Sequence, residues 1–315
     1  MSTAQVSHWS QLGETTFVAG IRLLCVIERW LGRWPFRLCL WPVVLLHWLG
    51  NRTARHASRD YLAQIQTAHG VFASTPGIRM SLRHFAGFAE TLLDKLLASH
   101  GRYPAAQVEV EREVMLQQMA TGEGGVIVTA HIGCLELCQA LAERVPGFRL
   151  TALVHTAHAE DFNRLLKQLN PDARVRLLQV TALDAATAYA LGQRVAAGEF
   201  VAIAGDRVPV QGGRSVVVPF LGRSAAFPIG PYVLASALAC PLFALACTHA
   251  GNGYRMRFER FYDRVLLPRA QRDAALREHV SRYAHWLETQ LRSAPLDWFN
   301  FFPFWDQGHD DRLTR

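Results

Sequence analysis

Half of the 315 residues are hydrophobic, ample for a core in one large domain or two smaller ones. The 33 lysines and arginines, mostly arginine, outnumber 26 acidic residues and leave a formal charge of +7, which suits nucleic acid, an anionic membrane or an acidic protein. No nucleic-acid module is recognisable, so the membrane and the acidic protein lead.

Residues 1–16 are polar and are expected to be disordered or loosely docked. Residues 17–50 are apolar and aromatic but interrupted by Arg22, Glu28, Arg29, Arg33 and Arg37. The cleanest apolar run, Leu38 to Gly50, is shorter than the ~20 residues that span a bilayer. No small-residue cleavage site follows it, which argues against a secretory signal. Trp30, Trp34, Trp41 and Trp48 with flanking arginines suit a membrane interface. A soluble helical hairpin packed on the core is the competing reading. The expected organisation is a tail and membrane-anchoring helical segment over 1–50, spanning or interfacial. A domain over 51–315 follows, helical to residue 120 and α/β from residue 121.

Residues 53–100 read as helices broken at Thr75-Pro76-Gly77, with His84 and Asp94 taken as surface or helix-face residues. Residues 107–120 read as a short strand and a helix. From Gly124 the pattern alternates. Strands are expected at 126–130, 149–154, 174–180, 200–204, 215–219, 241–247 and 253–261. Helices are expected at 134–144, 159–169, 184–197, 229–239 and 270–292. This alternation argues an α/β fold, a mixed central sheet flanked by helices. No internal repeat or low-complexity segment is present.

The stretch Gly124 to Glu136 is the chemical centre. Its β-branched apolar run ends on His131, where strand hands over to helix, and ligands collect at the carboxyl ends of strands in such sheets. Within a helix His131 and Glu136 would point about 140° apart. With His131 in the turn and Glu136 in the first helical turn, the carboxylate reaches back to the imidazole. A carboxylate on one ring nitrogen fixes the tautomer and raises the basicity of the other. A capping glutamate beside an unrelated histidine explains the residues equally well.

His-x4-Glu after an apolar strand resembles the motif of the lysophospholipid acyltransferase superfamily. A second stretch, Val218-Pro219-Phe220-Leu221-Gly222-Arg223-Ser224-Ala225-Ala226-Phe227-Pro228-Ile229-Gly230-Pro231, is similar to the Pro-Phe-x-Gly and Pro-x-Gly-Pro segments of its bacterial lipid A late-acyltransferase branch. The resemblance covers roughly residues 15–305. It implies a membrane-associated acyltransferase at the cytoplasmic face of the bacterial inner membrane. It further implies an acyl carrier protein thioester as donor, and a lipid or other amphipathic acceptor with a hydroxyl or amine. His131 would be the general base and Glu136 its partner. Asp206, after the strand 200–204, matches an acidic site residue, with a turn aspartate as the plainer reading. His155 stands where the branch tends to have arginine, a departure that bears on whether the acceptor is a phosphorylated sugar lipid.

Arg207 and Arg214 flank a glycine-rich loop and suit a phosphate or head group, or merely a solvated loop. Phe220, Gly222 and Pro228 suit an acyl tunnel wall, or ordinary packing at a strand-to-helix turn. The aromatic run Trp298 to Trp305 suits core cover or the lip of an acyl groove. It looks more like acyltransferases of aryl polyene pigments and other acceptors that are not lipid A.

Cys25, Cys39, Cys134, Cys138, Cys240 and Cys247 read as reduced buried thiols in a cytoplasmic setting. No metal and no cofactor is expected. Gly-x-Ser-x-Gly, the phosphate-binding Gly-x-x-x-x-Gly-Lys-Ser/Thr and Gly-x-Gly-x-x-Gly are all absent. Direct acyl transfer is the reading, with Cys134 the nearest thiol for a covalent route. A metal-dependent hydrolase on the same His/Asp/Glu set and a non-catalytic membrane scaffold are the alternatives.

Overall fold

The computed structural model describes residues 30, 33–99, 101–142, 145–154, 175–179, 185–208 and 213–306. The apolar N-terminal run folds as helix α1 (Arg33–Gly50) with Pro42 inside it. Local chemistry sets its end: the Asn51 N–H bonds the His47 carbonyl, and Arg55 donates to the Trp48 and Leu49 carbonyls. Asn51 then caps α2 (Arg52–His69), its side chain accepting from the Ala54 N–H at 2.9 Å. Gly70 stops α2 in the left-handed conformation. Helix α3 (Ile78–Ser99) follows the Pro76-Gly77 break.

Helix α1 is apolar on two sides. Phe36, Leu40, Val44 and Trp48 are buried in a core cluster shared with α3, and Trp48 donates its indole N–H to Ser81. Trp34, Leu38, Trp41, Leu45 and Leu49 form an exposed stripe, with Trp34 keeping 76% and Leu38 63% of their surface. No helix among the described residues is long and apolar enough to cross a membrane. The expected anchoring helix is corrected to that extent, and residues 1–29, 31 and 32 lie outside the description.

The remaining elements are β1 (Val108–Glu111), α4 (Glu113–Ala120), β2 (Gly125–Gly133), α5 (Leu135–Ala142), β3 (Leu150–Val154), β4 (Val175–Gln179), α6 (Ala185–Ala196), β5 (Phe200–Ala204), β6 (Ser215–Phe220), β7 (Arg223–Pro228), α7 (Gly230–Ala237), β8 (Leu242–Ala250), β9 (Gly253–Tyr262) and α8 (Arg272–Ser293). Among the described residues seven strands make one mixed sheet in the order β1-β9-β8-β2-β5-β3-β4, with β9 antiparallel to β8 and the other pairings parallel. β2 lies between β8 and β5, so both its edges are paired, and both its faces are buried. Val126, Val128, Ala130 and Ile132 enter one core cluster and Ile127 the other. The helix expected at 159–169, and His155 and His158, lie outside the described residues.

Two differences from the sequence reading matter. The stretch 215–228 is not a strand turning into a helix but a hairpin of β6 and β7, off the main sheet. Its two-residue turn, Leu221-Gly222, has φ of 50° and 81°, the mirror-turn geometry that suits a twisted hairpin. Leu221 tolerates its positive φ because it is clamped: its N–H bonds Glu288 and its carbonyl accepts from Gln64. Second, β2 runs past residue 130 to Gly133, because its register against β8 shifts between Thr129 and Gly133. That bulge re-aims the strand end bearing His131.

Gly133 sits in this bulge at φ 57°, and a Cβ there would lie 1.8 Å from the Cys247 carbonyl oxygen. Backbone cannot yield as a flexible side chain can. Gly133→Ala should therefore lose about 3 kcal/mol or more of unfolding free energy by denaturant titration. A midpoint equal to wild type would contradict the bulge geometry.

Candidate functional site

His131 stands near the carboxyl end of β2, between Ala130 and Ile132, which both enter the first core cluster. Its ring therefore faces the opposite side of the sheet and keeps 36% of its surface. Asp206 lies two residues past β5, the strand beside β2, and is wholly buried. The Asp206 Oδ1 lies 2.8 Å from His131 Nδ1, and Oδ2 accepts the His131 N–H at 2.9 Å. Oδ2 also accepts from Trp298 Nε1 and Asn300 Nδ2, each at 3.0 Å. One carboxylate thus binds four donors, which compensates a charge carried fully inside.

The last two of those donors belong to a belt, residues 297–300, that crosses the end of β2. The Gly133 N–H bonds the Asp297 carbonyl and the Phe299 N–H bonds the His131 carbonyl, around an antiparallel bridge of Ile132 to Trp298. Arg207 braces the belt, donating from Nε to Asn300 Oδ1 and from Nη2 to the Phe299 carbonyl. Below it, buried His84 joins Ser58 Oγ through Nδ1 and the Trp298 carbonyl through Nε2.

The charges follow from these contacts. Burial alone would raise the Asp206 carboxyl, but the charge and hydrogen bond of His131, with Arg207, hold it below the ordinary range. The His131 imidazole is lowered from its ordinary value, first by desolvation, then by Arg207 and Lys95, against the upward pull of Asp206. A lowered imidazole beside a fixed carboxylate is an unprotonated base at neutral pH. The Cys134 thiol is buried and raised well above its usual value, by burial first and then by Glu136. It is poorly suited to be a nucleophile.

The structure brings His131, Asp206 and Arg207 together but gives Glu136 a different partner. Glu136, in the first turn of α5, forms an ion pair with Lys95 of α3, and Cys134 Sγ lies 3.9 Å from its other oxygen. The expected His131–Glu136 contact is corrected on this point: the helix turn carries the carboxylate toward α3, and Nδ1 is already taken by Asp206.

Arg214 is exposed, 3.9 Å from Asp273 at the start of α8. Phe220 is fully buried against Phe227, Trp298 and Phe304, Gly222 is a turn residue, and Pro228 is buried at the end of β7. These three are thus accounted for by packing and turn geometry. The aromatic run is core cover, with Trp298, Phe302, Phe304 and Trp305 all buried. His84 and Asp94 are buried rather than on a surface, and Cys39 is exposed rather than buried.

Sequence reasoning missed Asp297, Trp298 and Asn300 as site residues. The available signal was a pair of polar residues at an aromatic run, Asp297 just before it and Asn300 within it. Among the described residues no group of three His, Cys, Asp or Glu side chains is placed to hold a metal ion.

A family model described as bacterial lipid A biosynthesis acyltransferase matches residues 92–307. No curated protein matches the chain.

His84 supplies a stability test of the belt. Burial lowers its pKa from 6.5 to about 4, only partly opposed by the Trp298 carbonyl and Asp297. The unfolded state therefore binds the proton first. The neutral ring's contribution is intact above pH 6.5 and is lost as pH falls towards 4, about 3 kcal/mol in all. His84→Gln should show a shallower fall of unfolding free energy between pH 6.5 and 4 than wild type. Equal slopes would mean that His84 is not held neutral.

Proposed function

The chain belongs to the bacterial lipid A biosynthesis acyltransferase family and is an acyltransferase, and on that premise we propose that His131 is its general base, oriented by Asp206. The observation that carries the reading is the two-point grip of Asp206 on both the backbone and the ring of His131. With Nδ1 bonded to the carboxylate, Nε2 is the free nitrogen. It removes the proton from an acceptor hydroxyl as the oxygen attacks the thioester carbonyl. The carbon–oxygen bond forms, the tetrahedral oxyanion collapses, the carbon–sulfur bond breaks, and the imidazolium returns its proton to the leaving thiolate. Arg207 and Lys95 lie close enough to lower the His131 pKa, and in this reading their positive charge favours the developing oxyanion. Glu136 acts through Lys95, holding that ammonium on α3.

The donor in this proposal is an acyl carrier protein thioester, because a chain of charge +7 suits an acidic partner protein. The acceptor is a lipid or another amphipathic molecule. The enzyme works on the cytoplasmic face of the bacterial inner membrane, where α1 lies in the interface. Its exposed stripe of Trp34, Leu38, Trp41, Leu45 and Leu49 supports this.

Asp206→Asn is the sharpest test. Three donors converge on Oδ2, so the amide oxygen must stay there and the amide NH₂ must face His131 Nδ1. That forces the proton onto Nε2, which can no longer accept one. Turnover should fall about 10²–10⁴-fold with the fold intact, His131→Ala should match it, and the double variant should be little worse. Because His131 is lowered, the acid limb of wild-type kcat/KM should lie below pH 6.5. Near wild-type turnover in Asp206→Asn would remove the assignment. The same acyl chain offered on carrier protein and on coenzyme A decides the donor: a higher kcat/KM on coenzyme A refutes the carrier.

Membrane contact through α1 is tested by flotation with anionic lipid vesicles. Replacing Trp34, Leu38 and Trp41 together with serine should move the protein from the floated to the soluble fraction, because about 0.8 kcal/mol is lost per CH₂ no longer buried. Unchanged flotation would assign binding to another surface.

A further inference from the structure

A second histidine in the sheet repeats the geometry of the first. His249 lies near the end of β8, the strand on the other side of β2. Its Nδ1 lies 2.8 Å from Asp297 Oδ1, and its backbone N–H bonds Asp297 Oδ2 at 2.6 Å. His131 meets Asp206 through the same two atoms, ring Nδ1 and backbone N, on the two oxygens of one carboxylate. Both rings keep 36% of their surface, while Asp206 keeps none and Asp297 only 6%.

The two rings also share a face. Ala246 enters the first core cluster and Cys247 the second, so His249, two residues beyond Cys247, points to the second side. His131 points there too. Gly133 pairs with Cys247, with His131 two residues before it and His249 two residues after. At ~3.3 Å per residue, shortened by the bulge, the two histidines lie roughly 10 Å apart along the sheet. One belt serves both: Asp297 supplies the carboxylate of the second pair, and Trp298 and Asn300 bind the carboxylate of the first.

A tie between β8 and the belt would need only the backbone N–H and Asp297. It does not need an imidazole, yet the His249 ring keeps 36% of its side-chain surface while packed on Tyr254 at 4.2 Å between centroids. With Nδ1 committed to the carboxylate, Nε2 is the ring nitrogen left for a ligand. The ligand group it fits is a hydrogen-bond donor, an O–H or N–H.

We infer that His249, held by Asp297, is a specificity residue that binds a second hydroxyl or N–H of the acceptor, roughly 10 Å from the hydroxyl activated at His131. This rests on the acyl-transfer reading above. The acceptor class it selects has several donors on its head group, against a single-hydroxyl alcohol.

His249→Asn isolates the claim. The amide nitrogen of the introduced asparagine takes the place of Nδ1 and keeps the bond to Asp297, while Nε2 is removed. The probes are octyl maltoside, with many hydroxyls, and tetraethylene glycol monooctyl ether, with one. The ratio of kcat/KM for the first over the second should fall about 3- to 10-fold, the effect of one hydrogen bond, and the fall should lie in the KM for octyl maltoside rather than in kcat. An unchanged ratio, or a loss confined to kcat, would overturn the inference. Wild-type protein labelled with ¹⁵N at histidine gives a second readout that needs no variant: octyl maltoside without donor should shift the His249 Nε2 resonance and the ether should not. Absence of that shift also overturns it. The His131→Ala variant separates the two proposals, since its full activity would sink the acyl-transfer reading, whereas an inactive His131→Ala with an unchanged His249→Asn ratio would sink only this one.

Discussion

A single buried carboxylate organises this molecule. Asp206 has no exposed surface, and an unpaired charge in such a place would cost several kcal/mol. It is tolerated because four donors converge on it: the backbone and ring of His131, the indole of Trp298 and the amide of Asn300. Each donor fixes something else. The backbone bond sets the end of β2, the ring bond sets the imidazole, and the other two draw the C-terminal belt across the sheet. Removing the carboxylate would therefore unseat strand end, ring and belt at once, whereas an amide of the same shape changes only the proton inventory.

The sheet explains why the site forms here. β2 is central, and its bulge between Thr129 and Gly133 turns the last residues away from the β5 ladder. Thr129 is the last residue of β2 in register with β5, and its carbonyl accepts from the Gly205 N–H and from Tyr283 of α8. That diverts the chain after β5 so that Asp206 arrives beneath His131. A Cβ at Gly205 would lie 2.5 Å from Val128 Cγ2, so the glycine before Asp206 is needed for the close passage of the two strand ends.

Legibility in the sequence followed the range of the interactions. Helices from residue 53 and the alternation of strands and helices from Gly124, decided by local pattern, were readable: β5 falls where expected, and the α6 and β9 limits differ from expectation by one residue. His131 and Asp206 were both readable as strand-end residues. Their partnership was not, because it spans 75 positions, and the His131–Glu136 spacing offered a nearer partner. The belt was hidden for the same reason: Trp298 and Asn300 reach Asp206 across 92 and 94 positions. The hairpin of β6 and β7 was missed because its turn places a leucine, not a glycine or asparagine, at the first positive φ. Glu288 and Gln64 make that tolerable from α8 and α2, and turn chemistry within the stretch does not reveal it.

The belt makes the segment after α8 part of the site rather than a cover over it. Residues 297–300 run antiparallel to 131–133, and their side chains alternate in task as strand residues do. Trp298 and Asn300 turn to Asp206 on the β5 side, and Asp297 turns to His249 on the β8 side. Aromatic packing holds the segment rigidly enough for this: Trp298 lies edge-on to Tyr61, Phe220 and Phe304 at 5.0, 5.3 and 4.7 Å between centroids. Those contacts couple the belt to α2, to the hairpin and to the run after it. The aromatic density that first suggests a lipid-facing lip thus serves to position polar atoms. A mobile segment would lose conformational entropy each time it gripped Asp206, and a segment fixed by aromatic packing has already lost it in folding.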